Sequence, residues 1–385
     1  MALNDIKFIK GQGGLGAVLP NNDHKSGIVF LRSYPDGDPV PAVPFVYDRV
    51  SSVADAESKG ITELAYPEEH YQVSEFFRLQ PDSELHIMFG SAADADFDFE
   101  EVQTIQNNAD GELRQVSVLT YLALQITNIP ILQAVADTLF NEHKPLSIIY
   151  GADLTGIALT SLPNIRLQTS PNVSVVIGMD GAAAGKALYD AGKIVPCVGA
   201  VLGAVSRSSV NESIAWVQAF KMSAEELDTP AFANGVLYSE TGTNLINTIN
   251  DYGYIFLRKH VGIAGSYINE NATCDLITSD YAYINNVRTI DKAIRDIRTV
   301  LLPKLNSPLT LTAAGKLDLE TITDFTNVCD NALENMVKNG ELSAYRVQIN
   351  PDQDIMATSL LLVNITLVIR GVARNIEVEI GFGKI

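Results

Sequence analysis

Residues 281–305 read Tyr281-Ala-Tyr-Ile-Asn-Asn-Val-Arg288 and then Thr289-Ile-Asp-Lys-Ala-Ile-Arg-Asp-Ile-Arg-Thr-Val-Leu-Leu-Pro-Lys-Leu305. From Thr289 onward the apolar positions Ile290, Ala293, Ile294, Ile297, Val300 and Leu301 recur at three- and four-residue spacing. That period predicts one amphipathic helix over Thr289–Leu305. A second helix is predicted over Leu317–Asn339, with Leu319, Ile322, Phe325, Cys329, Leu333 and Met336 inward and Asn339-Gly340 as its stop. Only strand patterns follow: Ala344–Ile349, Leu360–Ile369 and Arg374–Phe382. Two helices and then strands make an α+β end piece.

Upstream the pattern alternates. Ile28–Ser33, Glu84–Phe89, Leu146–Tyr150 and Val173–Gly178 are rich in β-branched or aromatic residues and bounded by Gly, Pro or Asp, which predicts strands. Leu113–Gln125, Ile131–His143, Gly181–Ala191 and Cys197–Val205 carry helical spacing. Interleaved strands and helices predict an α/β domain with a partly parallel sheet. The fold class is therefore α+β overall. Residues 1–22 form an N-terminal arm, 23–250 an α/β domain, 251–370 a C-terminal α+β domain and 371–385 a C-terminal strand arm.

The 385 residues are 46% hydrophobic and 19% charged, which excludes wholesale disorder and admits a sizeable core. A formal net charge of −19 repels nucleic acid and anionic membranes, so neither is an expected partner. The longest apolar stretch, Leu360–Ile369, is too short for a bilayer span. The opening Met1-Ala-Leu-Asn-Asp-Ile-Lys7 predicts no secretory signal, which leaves the Asn-x-Ser/Thr matches at Asn172, Asn211, Asn271 and Asn364 as background. Cys197, Cys274 and Cys329 form no CxxC pair and read as separate reduced thiols.

Motifs that could carry enzyme chemistry each fail on a required position. Gly11-Gln-Gly-Gly-Leu-Gly16 lacks the helix that would seat a pyrophosphate, because Leu19-Pro20-Asn21-Asn22 follows. Gly178–Lys186 sits between a strand and a helix, but Asp180 takes the first glycine position of a phosphate loop and Ala187 replaces the hydroxyl. Asp94–Glu101 has Phe99 and Ile105 where a calcium loop needs Gly and Glu. The five histidines form no metal-ligand pair, and no Gly-x-Ser-x-Gly elbow occurs. No catalytic residue, cofactor or metal is expected.

The two ends and one helix face stand out instead. Asp5–Lys10 alternates, with Ile6 and Phe8 on one face and Lys7, Ile9 and Lys10 beside them; the hinge glycines Gly11, Gly13, Gly14 and Gly16 follow. Arg374-Asn-Ile-Glu-Val-Glu-Ile-Gly-Phe382 puts Ile376, Val378, Ile380 and Phe382 on one face and Glu377 and Glu379 on the other, with Gly371 as its hinge. Extended, such arms reach roughly 30 Å, far enough to add a strand to a neighbouring subunit. Arg288, Lys292, Arg295 and Arg298 line one side of the Thr289–Leu305 helix. In so acidic a chain this is either a solvated face paired to Asp291 and Asp296 or a partner-facing strip.

The C-terminal half resembles the contractile tail sheath family of phage tails and phage-like injection systems. Tyr281-Ala-Tyr-Ile-Asn-Asn-Val-Arg288 before a long helix is similar to the family's "YINVRR" entry, with one additional residue at Asn285-Asn286. Leu319–Asn339, Gly340 and Tyr345-Arg-Val-Gln-Ile-Asn350 resemble its second helix and next strand, and Gly199-Ala-Val-Leu-Gly-Ala-Val-Ser-Arg207 leading to Trp216 resembles its central "AG…AR…W" segment. The resemblance implies a virion structural protein that forms hexameric rings, stacked helically on an inner tail tube and joined to a baseplate and tail terminator. Strand exchange through both arms would link the subunits, and contraction would drive the tube through an envelope. It also implies that the α/β domain faces outward, that the C-terminal domain faces inward, and that the basic strip meets the tube. Assembly would take place in the bacterial cytoplasm. The competing expectations are a non-contracting baseplate or tail-terminus protein and, more remotely, a nucleotide-binding α/β enzyme.

Overall fold

A computed structural model describes residues 23–381. The described chain divides into two compact units, one of residues 23–292, 341–343 and 368–381, the other of residues 293–340 and 344–367.

The larger unit is built on a six-stranded sheet. Its strands are β1 (Ser26–Tyr34), β2 (Tyr47–Val50), β3 (Leu85–Ala93), β4 (Gln115–Ala123), β5 (Ser147–Asp153) and β6 (Val173–Val176), in the order β2-β3-β1-β4-β5-β6. Only β2 runs antiparallel to its neighbour; the β3-β1, β1-β4, β4-β5 and β5-β6 pairs are parallel. Parallel strands need crossovers, and helices supply them on both faces. In these connections lie α1 (Val53–Ser58), α2 (Pro67–Leu79), α3 (Glu100–Asn108) and α4 (Asn128–Asn141), while α5 (Ala184–Asp190) and α6 (Val198–Arg207) follow β6 in the chain. Val29 and Leu31 of β1 join Val102, Ile105, Leu132 and Leu139 of α3 and α4 in one core. Ile28 and Phe30 point the other way, into a core with Val73 and Phe76 of α2 and Val201 and Val205 of α6. A strand buried on both faces reads as a continuous apolar run, which is why β1 is plain in the sequence.

Gln115–Ala123 corrects the sequence reading. Its apolar residues at 116, 119 and 122 imitate helical spacing, yet the segment is a strand paired with β1 on one side and β5 on the other. Val116, Val118 and Thr120 are β-branched, but the buried polar residues Ser117 and Thr120 break the apolar run, so periodicity could not separate the two states. Gly181–Ala191 shortens to α5, and three helices the sequence did not show, α1, α2 and α3, fill the connections.

Glycine lets α6 lie against α2. A Cβ at Gly199 would meet the Gln72 carbonyl carbon at 2.8 Å and its oxygen closer still, and one at Gly203 would meet the Phe76 oxygen at 2.8 Å. The Gln72 side chain donates to the Pro196 carbonyl and accepts from the Gly199 N–H, both at 2.8 Å.

The rest of the larger unit holds the β7 (Gly178–Asp180) and β8 (Pro230–Phe232) pair, α7 (Thr243–Asp251) and the β9 (Leu257–His260)–β10 (Ile263–Ile268) hairpin. Then comes α8, which spans Ile284–Leu301 and so begins five residues before the expected Thr289. The smaller unit carries α9 (Leu319–Lys338). Asp318 caps its start by accepting from the Glu320 N–H at 3.2 Å, and Gly340, at φ 75°, follows its end. Strands β11 (Leu342–Gln348) and β12 (Asn364–Ile369) pair as a two-stranded sheet, so the expected Leu360–Ile369 strand loses its first four residues.

Candidate assembly interface

The sequence predicts a strand over Arg374–Phe382. Through Gly381, the last described residue, this segment pairs with no strand among the described residues. Its apolar row stands in solvent: Ile376 is 80% exposed, Val378 73% and Ile380 89%. Glu377 and Glu379, between them, are exposed as well. The side-chain pattern of a half-buried strand is present, and no sheet among the described residues receives it. Nothing lies within 4 Å of where a Cβ on Gly371 would sit, so the hinge position is unobstructed. Phe382 falls outside the described residues, as do Ile6, Lys7, Phe8, Ile9 and Lys10 and the glycines Gly11, Gly13, Gly14 and Gly16.

The segment is nevertheless tied down at its root. The Arg374 guanidinium stacks over the Tyr283 ring at 3.4 Å from the centroid, and its Nε donates to Glu270 Oε2 at 2.9 Å. Tyr283 precedes the first turn of α8, its carbonyl accepting from the N–H groups of Asn286 and Val287. A chain of amides fixes that turn: Asn285 donates to Asn286 Oδ1 and Asn271 to Asn285 Oδ1, each at 2.9 Å, and the Ser213 hydroxyl donates to Asn271 Oδ1 at 3.1 Å. The additional residue at Asn285-Asn286 is thus part of a side-chain network.

The structure divides the basic stripe of α8. Arg288 is only 3% exposed; it donates to the Ser208 hydroxyl at 2.8 Å and to the Asp23 carbonyl at 3.1 Å. Lys292 lies between two carboxylates, Asp23 and Glu341, each at 2.6 Å. Burial alone would lower the Lys292 pKa, but the two carboxylates outweigh it and raise it above the ordinary lysine value. Burial pushes the Glu341 carboxyl up, against the pull of Lys292. Arg295 and Arg298, one and two turns on, are half-buried. Glu270, Asp23 and Glu341 were absent from the sequence reading, and Tyr283 entered it only as part of the 281–288 motif, because nothing in a sequence couples positions so far apart. The only local signal was an arginine placed at the start of an otherwise apolar and acidic arm.

The loop over 181–183 after β7 explains why Gly178–Lys186 resembles a phosphate loop without its chemistry. Asp180 Oδ2 accepts from the Ala183 N–H at 2.7 Å, and Glu226 Oε2 from the Ala184 N–H at 3.0 Å. Carboxylates of the chain itself take the amides at the start of α5. Burial, together with the neighbouring Asp180, raises the Glu226 carboxyl. In Asp94–Glu101 the acids Asp94, Asp96, Asp98 and Glu100 are exposed, while Phe97 and Phe99 turn into the core. Among the described residues no group of three or more His, Cys, Asp or Glu side chains could hold a metal ion, and no helix is long and apolar enough to cross a membrane.

Two family models cover nearly the whole sequence: the DUF2586 N-terminal domain matches residues 3–272 and the DUF2586 C-terminal domain residues 280–384. The chain belongs to the DUF2586 family. No curated protein matches it by sequence. Solved structures match it over almost its full length. The helical sheath of the anti-feeding prophage in the contracted state is 14% identical at a TM-score of 0.64, covering 97% of this DUF2586 chain and 99% of that one. The sheath of an extracellular contractile injection system, also contracted, is 13% identical at a TM-score of 0.64, over 99% and 98% of the two chains. The sheath tail protein of Desulfitobacterium hafniense is 9% identical at a TM-score of 0.56, over 94% and 100%. This DUF2586 chain therefore has the contractile-sheath fold, a mixed α/β architecture with several sheets.

Proposed function

We propose that this chain is the structural subunit of a contractile tail sheath. Subunits polymerise as stacked hexameric rings around an inner tube by strand exchange, and the polymer shortens to drive the tube through a target envelope. The observation that carries this reading is the unpaired alternating row Ile376, Val378 and Ile380, on a chain with the sheath fold. Burying such a row against a neighbour's sheet recovers about 1.5–3 kcal/mol for each side chain, and the two-stranded β11–β12 sheet offers main-chain edges for it. The N-terminal arm, Ile6–Lys10, joins the same mesh, and Gly11, Gly13, Gly14, Gly16 and Gly371 let both arms swing while their strands stay paired. Residues 23–250 make the outward domain and 251–370 the inward one. The inner tube, a baseplate and a tail terminator are the other partners, and the protein resides in the tail particle. Arg288 is buried and Lys292 is paired within the chain, and the half-buried Arg295 and Arg298 farther along α8 make the tube contact. Contraction draws its energy from new subunit contacts.

Electron microscopy of the purified full chain tests this. Tubes or rings are expected, and chains lacking residues 1–12 or 371–385 should remain single. Full-length protein that stays monomeric at every concentration would refute it. A non-contracting baseplate role is the second reading, favoured by a match to a chain of the anti-feeding prophage baseplate at 14% identity and a TM-score of 0.62 over the whole of both chains. Copy number separates the two: many tens per particle for a sheath against about six for one baseplate ring, by symmetry.

A further inference from the structure

We propose that the start of α8 is the common root of both arms. The C-terminal arm is pinned through Arg374 to Tyr283 and Glu270. Asp23, where the described chain begins, is pinned by its carbonyl to Arg288 and by its carboxylate to Lys292. From Tyr283 to Lys292 is nine residues, roughly 14 Å of helix. The two arms therefore leave the body from one short rod.

This assigns a positioning role to residues that the sequence divides between a family-like motif and a basic stripe. Each contact suits that role. The Arg374–Tyr283 stack is a cation on an aromatic face with a carboxylate at its edge, an arrangement that fixes direction as well as position. Lys292 is an ammonium with two of its three donors on separate carboxylates, one of them Glu341 at the entry to β11. Tension arriving through one arm passes to the other along the helix, and the start of β4 backs the same root, since Gln115 Nε2 donates to the Asp23 carbonyl at 3.1 Å. The rod also fixes the distance between arm origins, so that paired strands keep register as a polymer changes shape. The inference rests on the strand-exchange reading for its consequence, but the roots themselves exist in a single subunit.

The test uses the full chain in two states. In the free subunit, a spin label on Glu377→Cys, three residues beyond Arg374, reports how firmly the arm is pinned; the native cysteines are buried and stay unlabelled. Arg374→Gln and Tyr283→Ala should sharpen its spectrum, whereas Tyr283→Phe, which keeps the aromatic face, should not. In the polymer, Arg374→Gln should raise the critical concentration about tenfold, the size of losing one close cation–π contact together with its ion pair. The melting temperature of the free subunit should hardly move. Label mobility unchanged by Arg374→Gln overturns the root. A label that responds while the wild type never polymerises leaves the root standing and removes the strand-exchange reading. A label that responds while the polymer forms at the wild-type concentration overturns the transmission of load.

Discussion

Replacing Gly199 by alanine tests how closely α6 lies on α2. The new Cβ would sit 2.8 Å from the Gln72 carbonyl carbon, where ordinary contact begins at 3.4 Å, so the helices must part by at least 3.4 − 2.8 = 0.6 Å. The carbonyl oxygen, nearer still, asks for more. Parting them strains the buried bond from the Gly199 N–H to Gln72 Oε1, worth about 1 kcal/mol. Overpacking adds about 1–3 kcal/mol, and alanine's better helix propensity returns about 1 kcal/mol. The net expectation is a loss of about 1–3 kcal/mol. Urea unfolding followed by Trp216, the single tryptophan, reads it in the larger unit. Gly203→Ala, at 2.8 Å from the Phe76 oxygen, should lose somewhat less, and Gly242→Ala, with nothing within 4 Å, should stay within about 0.5 kcal/mol of wild type. If Gly199→Ala unfolds at the wild-type midpoint with an unchanged slope, the close backbone approach described above is wrong.

Lys292→Met leaves Asp23 and Glu341 facing each other and should cost about 3–5 kcal/mol in thermal or urea unfolding. In the wild type the Lys292 contribution is present below its ordinary pKa of 10.5 and fades as pH rises through the raised folded value, so a melting series above pH 10 should decline more steeply than in the variant. His86 gives the acid limb. Burial lowers its pKa from 6.5 to about 4, so the unfolded chain takes up a proton first and stability falls between those values; His86→Gln should flatten that part of the pH profile. Burial raises the Cys197 and Cys274 thiols, so iodoacetamide should label neither until urea unfolds the chain. Charge reversal at Arg295 and Arg298 should reduce co-sedimentation with tube protein several-fold at low salt, and an unchanged pellet would remove the tube contact from those residues.

The legible parts of this fold were those in which one residue type did one job. β1, β3 and β5 are apolar on both faces, and α8 and α9 are striped along one side. β4 was hidden because its buried polar residues Gln115, Ser117 and Thr120 interrupt the apolar run and leave Val116, Leu119 and Leu122 at helical spacing. α2 was hidden for the opposite reason: its inward face carries Glu68, Glu69, Gln72 and Glu75, which find partners in the Ile194 N–H, Arg32, the Gly199 N–H and Arg78. A sequence shows those carboxylates and not the cations and amides that make them affordable inside. The stripe on α8 misled in the same way, since Arg288 and Lys292 look solvated until Ser208, Asp23 and Glu341 are placed beside them. The C-terminal arm carries a strand's alternating pattern in the sequence, yet through Gly381 it pairs with no strand among the described residues.

The margins of the large sheet have a consequence for misassembly. β2 and β6, its two outermost strands, are each four residues long, and β6 is further covered by a bridge from Val176 to Ile255. Short, partly shielded margins template little growth, so a dense population of these subunits would have few places to stick at random. Under the proposed sheath reading, a subunit that exposes the Ile376, Val378 and Ile380 row needs its bulk to be a poor host for that row. The blunt sheet would meet that need and would leave growth to the small sheet of β11 and β12.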